Sequence, residues 1–508
     1  MSLGAGQAAR PDRAPRGFWP APEGVEGAAV FGPVPGPGDF EKWATEEARA
    51  TAWQPANPHA FNWLNGMAPD AIAEARPPVT AWLEAHASWT EAAWRLDTLA
   101  DRLINWLVHF DALTDGAEAA FAGTLSGALM RQARHLLRWS ARPGEAEPFT
   151  VLHGAILCAL VLPGHRRRLG PLSQALERVI ADKVNADGGH HERHPDRHAA
   201  TLARLVHLRE RFADAHVEVP AFLQNAIDRM APLLRALLHG DGHLALFNGC
   251  AEGDAWVFRH VLEASGSSAR ATASATHTGY QRLAARRTLV IMETGAPRTV
   301  APWTPGHAGT LSFEMSVAKQ RIIVNCGAIG DSRNPLAAAL RGTAAHSTLV
   351  VADTHSADLT EDGAIGARRP RNVRVRRREM DRNVLVEASH DGYAEPFGLT
   401  HFRSLYMARD GLELRGEDAL DGPGGGVPFQ VRFHLHPTVQ ASSIETPGAA
   451  LVRLPTGRFW RFTAEGGALS LEESIYVGGG GRRRSDQLVI AGEHTGPRTV
   501  VKWRLNRE

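Results

Sequence analysis

Cysteine is scarce. Cys158, Cys250 and Cys326 are the only three among 508 residues. They are far apart, odd in number and without a CxxC pair, which argues against a disulfide framework or a structural zinc knuckle and fits a reducing compartment. Tyrosine is scarcer than a chain of this length would suggest, with only Tyr280, Tyr393, Tyr406 and Tyr476, so few phenols are available as acid or base. Lysine is nearly absent as well: Lys42, Lys183, Lys319 and Lys502 leave arginine to carry the positive charge, a bias that base composition explains as readily as function. Arg10, Arg13 and Arg16 lie in an N-terminus that has no apolar core, so no secretory signal is visible and a cytoplasmic location is expected; a true start further upstream would make it periplasmic. No apolar run is long enough to span a bilayer, and no membrane partner is expected. A formal net charge of +1 names no partner either.

What is present is ordinary for a soluble globular chain, at 44% hydrophobic and 22% charged residues. The length predicts two or three domains. Residues 1–40 are rich in Pro and Gly and read as an irregular lead-in. Residues 41–265 carry Ala, Leu, Arg and Trp at helical spacing. Trp94, Leu96, Leu99, Leu103, Trp106 and Leu107 show the pattern, and it returns over 125–139, 151–162, 172–184, 199–212 and 219–238. A small, polar stretch at 263–277 reads as a linker. From 266 to 508 the period becomes two, with strands expected at 287–293, 311–317, 320–325, 347–351, 373–376, 384–387, 412–415, 430–435, 459–462 and 499–503. Short strands broken by Gly and Pro predict an antiparallel sandwich. The fold class is therefore multidomain α and β.

The densest chemistry lies in Asp187-Gly-Gly-His-His-Glu-Arg-His-Pro-Asp-Arg-His198. Gly188 and Gly189 free the backbone for a turn, and Pro195 suits a first helical turn. The spacing predicts a helix from there onward, with His190 to His194 at its N-terminal mouth. His190 or His191 suits proton transfer beside Glu192, and Arg193 suits an anionic group. A polar loop whose histidines only cap and solvate a helix is an equally simple account. HExxH is not matched, because only Arg193 separates Glu192 from His194; His194 and His198 have i, i+4 spacing but are separated by the helix start at Pro195.

Other features are weaker. His239-Gly-Asp-Gly-His243 and Phe247-Asn248-Gly249 form a second polar turn. Nine of the thirteen tryptophans precede residue 140 and read as core. Arg368, Arg369, Arg371, Arg374 and Arg376 to Arg378 make a basic stretch that suits either a solvated face or a polyanion. Gly478 to Arg484 lacks a P-loop ending and reads as a hairpin tip. His307, Asn325 and His346 stand at successive strand ends, and two imidazoles with an amide make a poor zinc set.

Asp-Gly-Gly-His-x-Glu-Arg-x-Pro at 187–195, Gly279-Tyr-Gln-Arg-Leu283, His307-Ala-x-x-Leu-Ser-Phe313, Val324-Asn-Cys-Gly327, Thr343-Ala-Ala-His-Ser-Thr-Leu349 and His390-Asp-Gly-Tyr393 together resemble the heparinase II/III family of polysaccharide lyases. The likeness runs from about Phe40 to Leu505. It implies an incomplete N-terminal (α/α) toroid, a C-terminal antiparallel β-sandwich and a sugar-binding cleft, with β-elimination on a uronic-acid-containing glycan. Such a reaction neutralises the C6 carboxylate, removes the C5 proton and protonates the departing O4.

Carried onto this chain, the resemblance implies a catalytic set of His153, His190, Glu192, Arg193 and Tyr280. It adds substrate contacts from His191, His194, Arg197, His243 and Asn248, and a structural zinc at His307, Asn325 and His346. The chain departs from the pattern in five places: Leu152 replaces an Asn, Arg197 and its neighbours supply no tyrosine, no tyrosine lies between Gly327 and His346 where many relatives have one, Asn325 replaces an Asp, and Gly309 replaces another. The expected partner is an acidic polysaccharide or oligosaccharide, not nucleic acid, and a homodimer is the candidate assembly. Two alternatives stand beside the lyase: a catalytically decayed glycan-binding protein, and a toroid glycoside hydrolase using Asp187 and Glu192 as its carboxylate pair.

Overall fold

The computed structural model describes residues 57–508 apart from 143, 145, 299–305, 331–333, 362–363 and 480. The expected lead-in at 1–40 lies outside the described residues. Two compact units are present: one holds the described residues up to Val184 together with Ala200–Asp228, the other Asn185–Ala199 and Arg229–Glu508. They are not sequential halves, since the Gly-Gly-His turn belongs to the unit that contains the sandwich.

The first unit is helical. Its most buried helix, Pro148–Val161, has no polar face: Phe149 through Val161 are all buried. Such a segment is stable only as a central core helix. Its start is set by Pro148 in the first turn and by Glu147, whose carboxylate accepts from the Phe149 and Thr150 amides. Leu96–Val108 packs directly on it, where a Cβ on Gly154 would come within 2.8 Å of the Ala100 Cβ. Glycine permits that approach. Trp63, Trp82 and Trp106 are almost fully buried, as expected for core tryptophans, whereas Trp89 and Trp139 are exposed and depart from that reading.

The second unit is built on two antiparallel sheets. The first runs from Ser274–Ala275 through Tyr280–Ala285, Thr288–Glu293, Phe313–Val317, Gln320–Val324, Val427–Leu435 and Arg483–His494 to Ala468–Tyr476, with Leu349–Val351 also paired to Val427–Leu435. The second runs from Gln440–Ser443 through Ala449–Arg453, Phe459–Glu465, Arg498–Arg507, Glu413–Asp421, Leu399–Met407 and Asn383–Tyr393 to Arg374–Met380. Their inner faces share one core that includes Val290, Phe313, Val386, Leu405, Phe433 and Trp503. The stretch expected to be a linker is bonded into this unit, where the Thr272 amide donates to the Pro232 carbonyl and the Arg282 amide to that of Ala273.

A charge pair crosses the sandwich core. Arg403 Nε and Nη2 meet the two Asp418 oxygens at 2.7 and 3.1 Å, and Nη1 donates to the carbonyls of Leu311 and Ser347 at 2.9 and 2.7 Å. Asp418 also accepts from His401 Nε2 at 2.8 Å and Trp503 Nε1 at 2.9 Å. Burial alone would raise the Asp418 pKa, but Arg403 and His401 hold it well below the ordinary carboxylate range. Breaking one side of such a pair leaves an uncompensated buried charge. Asp418→Asn should therefore lower stability by about 3–5 kcal/mol in denaturant unfolding. The depressed carboxyl stabilises the fold above its unfolded pKa of about 4 and loses that contribution as pH falls below it. The variant should show a correspondingly shallower acid branch.

Candidate functional site

The Gly-Gly-His segment is positioned by Asp187. Its Oδ2 accepts from the His277 and Thr278 amides, both at 2.8 Å, and its Oδ1 from the Thr278 hydroxyl at 2.5 Å. This is a backbone clamp, made by the carboxylate that the hydrolase alternative would pair with Glu192. The glycines serve close approach. A Cβ on Gly188, where φ is +84°, would lie 2.0 Å from the Arg229 carbonyl oxygen, and one on Gly189 1.9 Å from the Thr278 hydroxyl. The helix Pro195–Asp214 starts at the expected proline.

Arg193 is buried, and each of its guanidinium nitrogens has a protein partner. Nε donates to the Thr278 carbonyl at 2.7 Å, Nη1 to that of Ala296 at 2.5 Å and Nη2 to Glu293 Oε1 at 2.6 Å. The Arg193 carbonyl in turn accepts from Asn248 Nδ2 at 3.0 Å and from the Tyr280 hydroxyl at 2.5 Å. Asn248 Nδ2 also faces Glu293 Oε1 at 2.8 Å. Arg193 and Asn248 hold left-handed backbones, with φ of 61° and 53°, which side-chain-bearing residues keep only when neighbours over-determine them. Burial, with Glu293 nearby, pushes the Tyr280 phenol far above its usual range. These contacts set Arg193 against Glu293, the Tyr280 hydroxyl on the Arg193 carbonyl and Asn248 across the turn, where the sequence led one to expect an anion-binding arginine, a proton-transfer tyrosine and a substrate-facing amide. Glu293 was missed. Its signal is the carboxylate that closes the fully buried strand Thr288–Glu293, a position that demands a cation.

Around this brace, His190, His191 and Glu192 lie together, with one ligand atom from each within 4.8 Å of the others; they are the only such metal-capable group among the described residues. His191 Nε2 stands 3.7 Å from Glu192 Oε1 and Arg197 Nε 3.9 Å from Oε2, so Arg197 already offsets the carboxylate. His191 and Arg197 keep about a quarter of their side chains exposed, 24% and 25%. His190 is buried, and burial lowers its pKa to about 3; His194 and His198 are lowered to about 4 for the same reason. His198 Nε2 faces the Met230 carbonyl at 3.0 Å. His243 Nδ1 faces the Gly253 carbonyl at 2.6 Å and so holds its own turn.

The remaining expected residues lie elsewhere. His153 is in the helical unit, fully buried, with Nε2 2.7 Å from His207 Nδ1; its Nδ1 faces Arg204, which pairs with Asp101 at 3.1 Å. Burial, with these cationic neighbours, holds its pKa well below normal. His307 Nδ1 and His346 Nε2 meet at 3.2 Å in the sandwich unit. Asn325 uses its amide nitrogen on the Leu246 carbonyl at 2.9 Å and its oxygen on the Ser347 amide at 2.9 Å. These residues do not fit a zinc: the third member is neutral and fully bonded, and no third His, Cys, Asp or Glu joins the pair among the described residues.

Two measurements check this assignment. Tyr280→Phe removes two hydrogen bonds, to the Arg193 carbonyl and from Asn248 Nδ2, and should cost about 1–2 kcal/mol in denaturant unfolding, whereas Glu293→Gln strands a buried guanidinium and should cost about 3–5 kcal/mol. The lowered pKa values of His190, His194 and His198 mean that these groups stabilise the fold above the unfolded value of about 6.5 and lose that contribution as pH falls toward about 4. His198→Gln should flatten part of that slope in unfolding midpoints measured across pH.

Comparison with known proteins agrees with this architecture. Residues 267–504 match the family model described as heparinase II/III-like, C-terminal. The chain superposes on heparinase III with a TM-score of 0.68 at 12% identity, covering 89% of this chain and 75% of that one. A mutant of the heparan sulfate lyase HepC from Pedobacter heparinus gives 0.65 at 14%, covering 92% and 76%. FtsZ-localized protein C of Caulobacter vibrioides is 28% identical over 476 residues, 88% of this chain and 81% of that protein. Among the described residues, no helix is long and apolar enough to cross a membrane. The helical region followed by antiparallel sheets is the toroid-plus-sandwich fold of heparinase III, and residues 267–504 form a heparinase II/III-like C-terminal domain.

Proposed function

We propose that this chain binds an acidic, uronate-containing glycan on its lyase fold without running β-elimination by a tyrosine route. The observation that carries this reading is where the four tyrosines lie. Tyr280, Tyr393 and Tyr476 are buried, and their hydroxyls donate to the Arg193 carbonyl, the Leu349 carbonyl and the Glu252 carboxylate. Burial raises all three phenols above their ordinary range. Tyr406 stands on the outer face of the second sheet. No phenol is thus left to shuttle a proton beside His190 and His191, and the arginine expected to neutralise the carboxylate is held by Glu293. His191 and Arg197 remain partly exposed around Glu192 and offer N–H donors to a uronate.

The test is titration of the full chain with alginate, glycosaminoglycan and neutral oligosaccharides by calorimetry, with ultraviolet absorbance followed in parallel. Binding of acidic but not neutral glycans is expected, weakened about tenfold (about 1.4 kcal/mol) in the His191→Ala, Arg197→Ala double variant, with no unsaturated uronate and no new reducing ends. Appearance of the unsaturated chromophore would overturn the reading in favour of a lyase. New reducing ends without it would select a hydrolase.

A second reading rests on the likeness to FtsZ-localized protein C, which extends over most of both chains: association with FtsZ. Co-sedimentation with FtsZ polymers tests it, and a chain that stays in the supernatant rejects it.

A further inference from the structure

We propose that Arg374–Met380, the edge strand of the second sheet, accepts an acidic extended peptide as an added β-strand. This inference does not depend on the glycan-binding reading. Among the described residues the strand is paired on one side only, with Asn383–Tyr393. The hairpin that joins the two strands fixes which main-chain groups are free. Asp381 and Arg382 are both left-handed, with φ of 50° and 66°, as a two-residue type I′ turn requires. Met380 and Asn383 close that turn and exchange both main-chain hydrogen bonds, and in an antiparallel ladder the exchange recurs at every second residue. Arg374, Arg376, Arg378 and Met380 therefore direct their amides and carbonyls to the neighbouring strand. Val375, Arg377 and Glu379 turn theirs outward, where no main-chain group of the described residues meets them.

Charge selects the kind of strand that fits. Arg377 is engaged by Glu379 at 2.7 Å and by the carbonyls of Ala273 and Arg282 at 3.3 and 3.0 Å, and Arg378 by Glu387 at 2.9 Å. Asp381 and Arg382 in the turn offset each other. Arg374 and Arg376 are left over: both are exposed, and neither pairs with a carboxylate among the described residues. Register puts these two on one face, about 7 Å apart, which is the distance between alternate residues of any strand laid beside them. A partner with Asp or Glu at alternate positions would set a carboxylate opposite each guanidinium. Its apolar residues would fall on the other face, next to Val375, which is 37% exposed. Arginines on an edge also repel a second copy of the same strand, so the feature that discourages self-pairing favours an acidic partner. A glycan would answer the arginines and leave the outward amides and carbonyls unfilled, and for that reason the geometry favours a peptide.

The experiment titrates the full chain with a peptide that matches the 7 residues of the strand and alternates glutamate with valine or threonine, followed by calorimetry and amide hydrogen exchange. The expected result is saturable binding that slows exchange at Val375, Arg377 and Glu379. It should weaken about tenfold in Arg374→Gln with Arg376→Gln and stay unchanged in His191→Ala with Arg197→Ala. Two further measurements separate a ladder from simple charge attraction. Val375→Pro removes one outward amide without altering charge, at an edge position that tolerates proline; it should weaken binding, with thermal melts confirming that it is folded. Two versions of the peptide, N-methylated on one or the other alternate set of residues, keep the charge and leave the protein untouched, and the version that blocks the amides facing the edge should lose binding. If both methylated versions bind as well as their parent, or wild type ignores the peptide, the inference is overturned. Displacement of the peptide by an equal concentration of uronate oligosaccharide gives the edge to a glycan, and a dimer in sedimentation that Val375→Pro dissociates gives it to a second copy of the chain; either rejects the peptide.

Discussion

A buried carboxylate must be given a cation, and Glu293 sets that requirement for the site-bearing part of the molecule. It ends an apolar strand and is 2% exposed, so its charge must be met by protein. Arg193 meets it from a hundred residues earlier. That demand accounts for features that look unrelated in the sequence. Arg193 and Asn248 keep left-handed backbones so that both reach the same oxygen. Residue 295 is glycine because a Cβ there would come within 2.5 Å of the Arg193 guanidinium carbon. Tyr280 is buried where its hydroxyl can tie down the Arg193 carbonyl. The arginine of the family-like motif is thus tied into the fold, with each of its three guanidinium nitrogens already engaged by protein.

Asp187 adds a second fastening, from the other end of the same turn. With both ends held, the histidine segment loses most of the chemistry that its composition advertises. His190 and His198 are buried and stay neutral, and His194 is depressed with them. What remains toward solvent is His191 and Arg197 around Glu192. Burial thus separates His190, His194 and His198, held neutral, from the partly exposed His191.

The sequence shows the architecture through its periodicities. The helical spacing around Trp94 to Leu107 becomes the buried helix Leu96–Val108, and the proline expected to begin a helix begins one. Strands are legible where apolar residues run or alternate, as in the fully buried Thr288–Glu293 and the alternating Val427–Leu435. Ala468–Tyr476 escaped because its residues are mostly half-exposed on both faces, so alternation carries no signal. The site was legible in residue types and illegible in their partners. Arg193 reads as an anion-binding residue until Glu293 is placed beside it, and nothing local in the sequence announces that contact. The scarcity of tyrosine was visible from the start. Which tyrosines are buried is decided by strand register, and register is a property of the fold.

The sandwich histidines show how a metal-like arrangement can persist with hydrogen bonds in place of a metal. A carboxylate at position 325 could not donate to the Leu246 carbonyl; it would set two acceptors against each other in a buried place. An amide resolves the conflict, donating to Leu246 and accepting from Ser347. His346 is oriented by Nδ1, which donates to the Gly342 carbonyl at 2.8 Å, so its Nε2 is the acceptor for His307 Nδ1–H. Gly309 leaves room for this ring, since a Cβ there would fall 2.6 Å from the His346 Cδ2. Asn325, Gly309 and the paired imidazoles are therefore one consistent solution: the charge that would attract a cation is gone, and each polar atom named here has found a neutral partner.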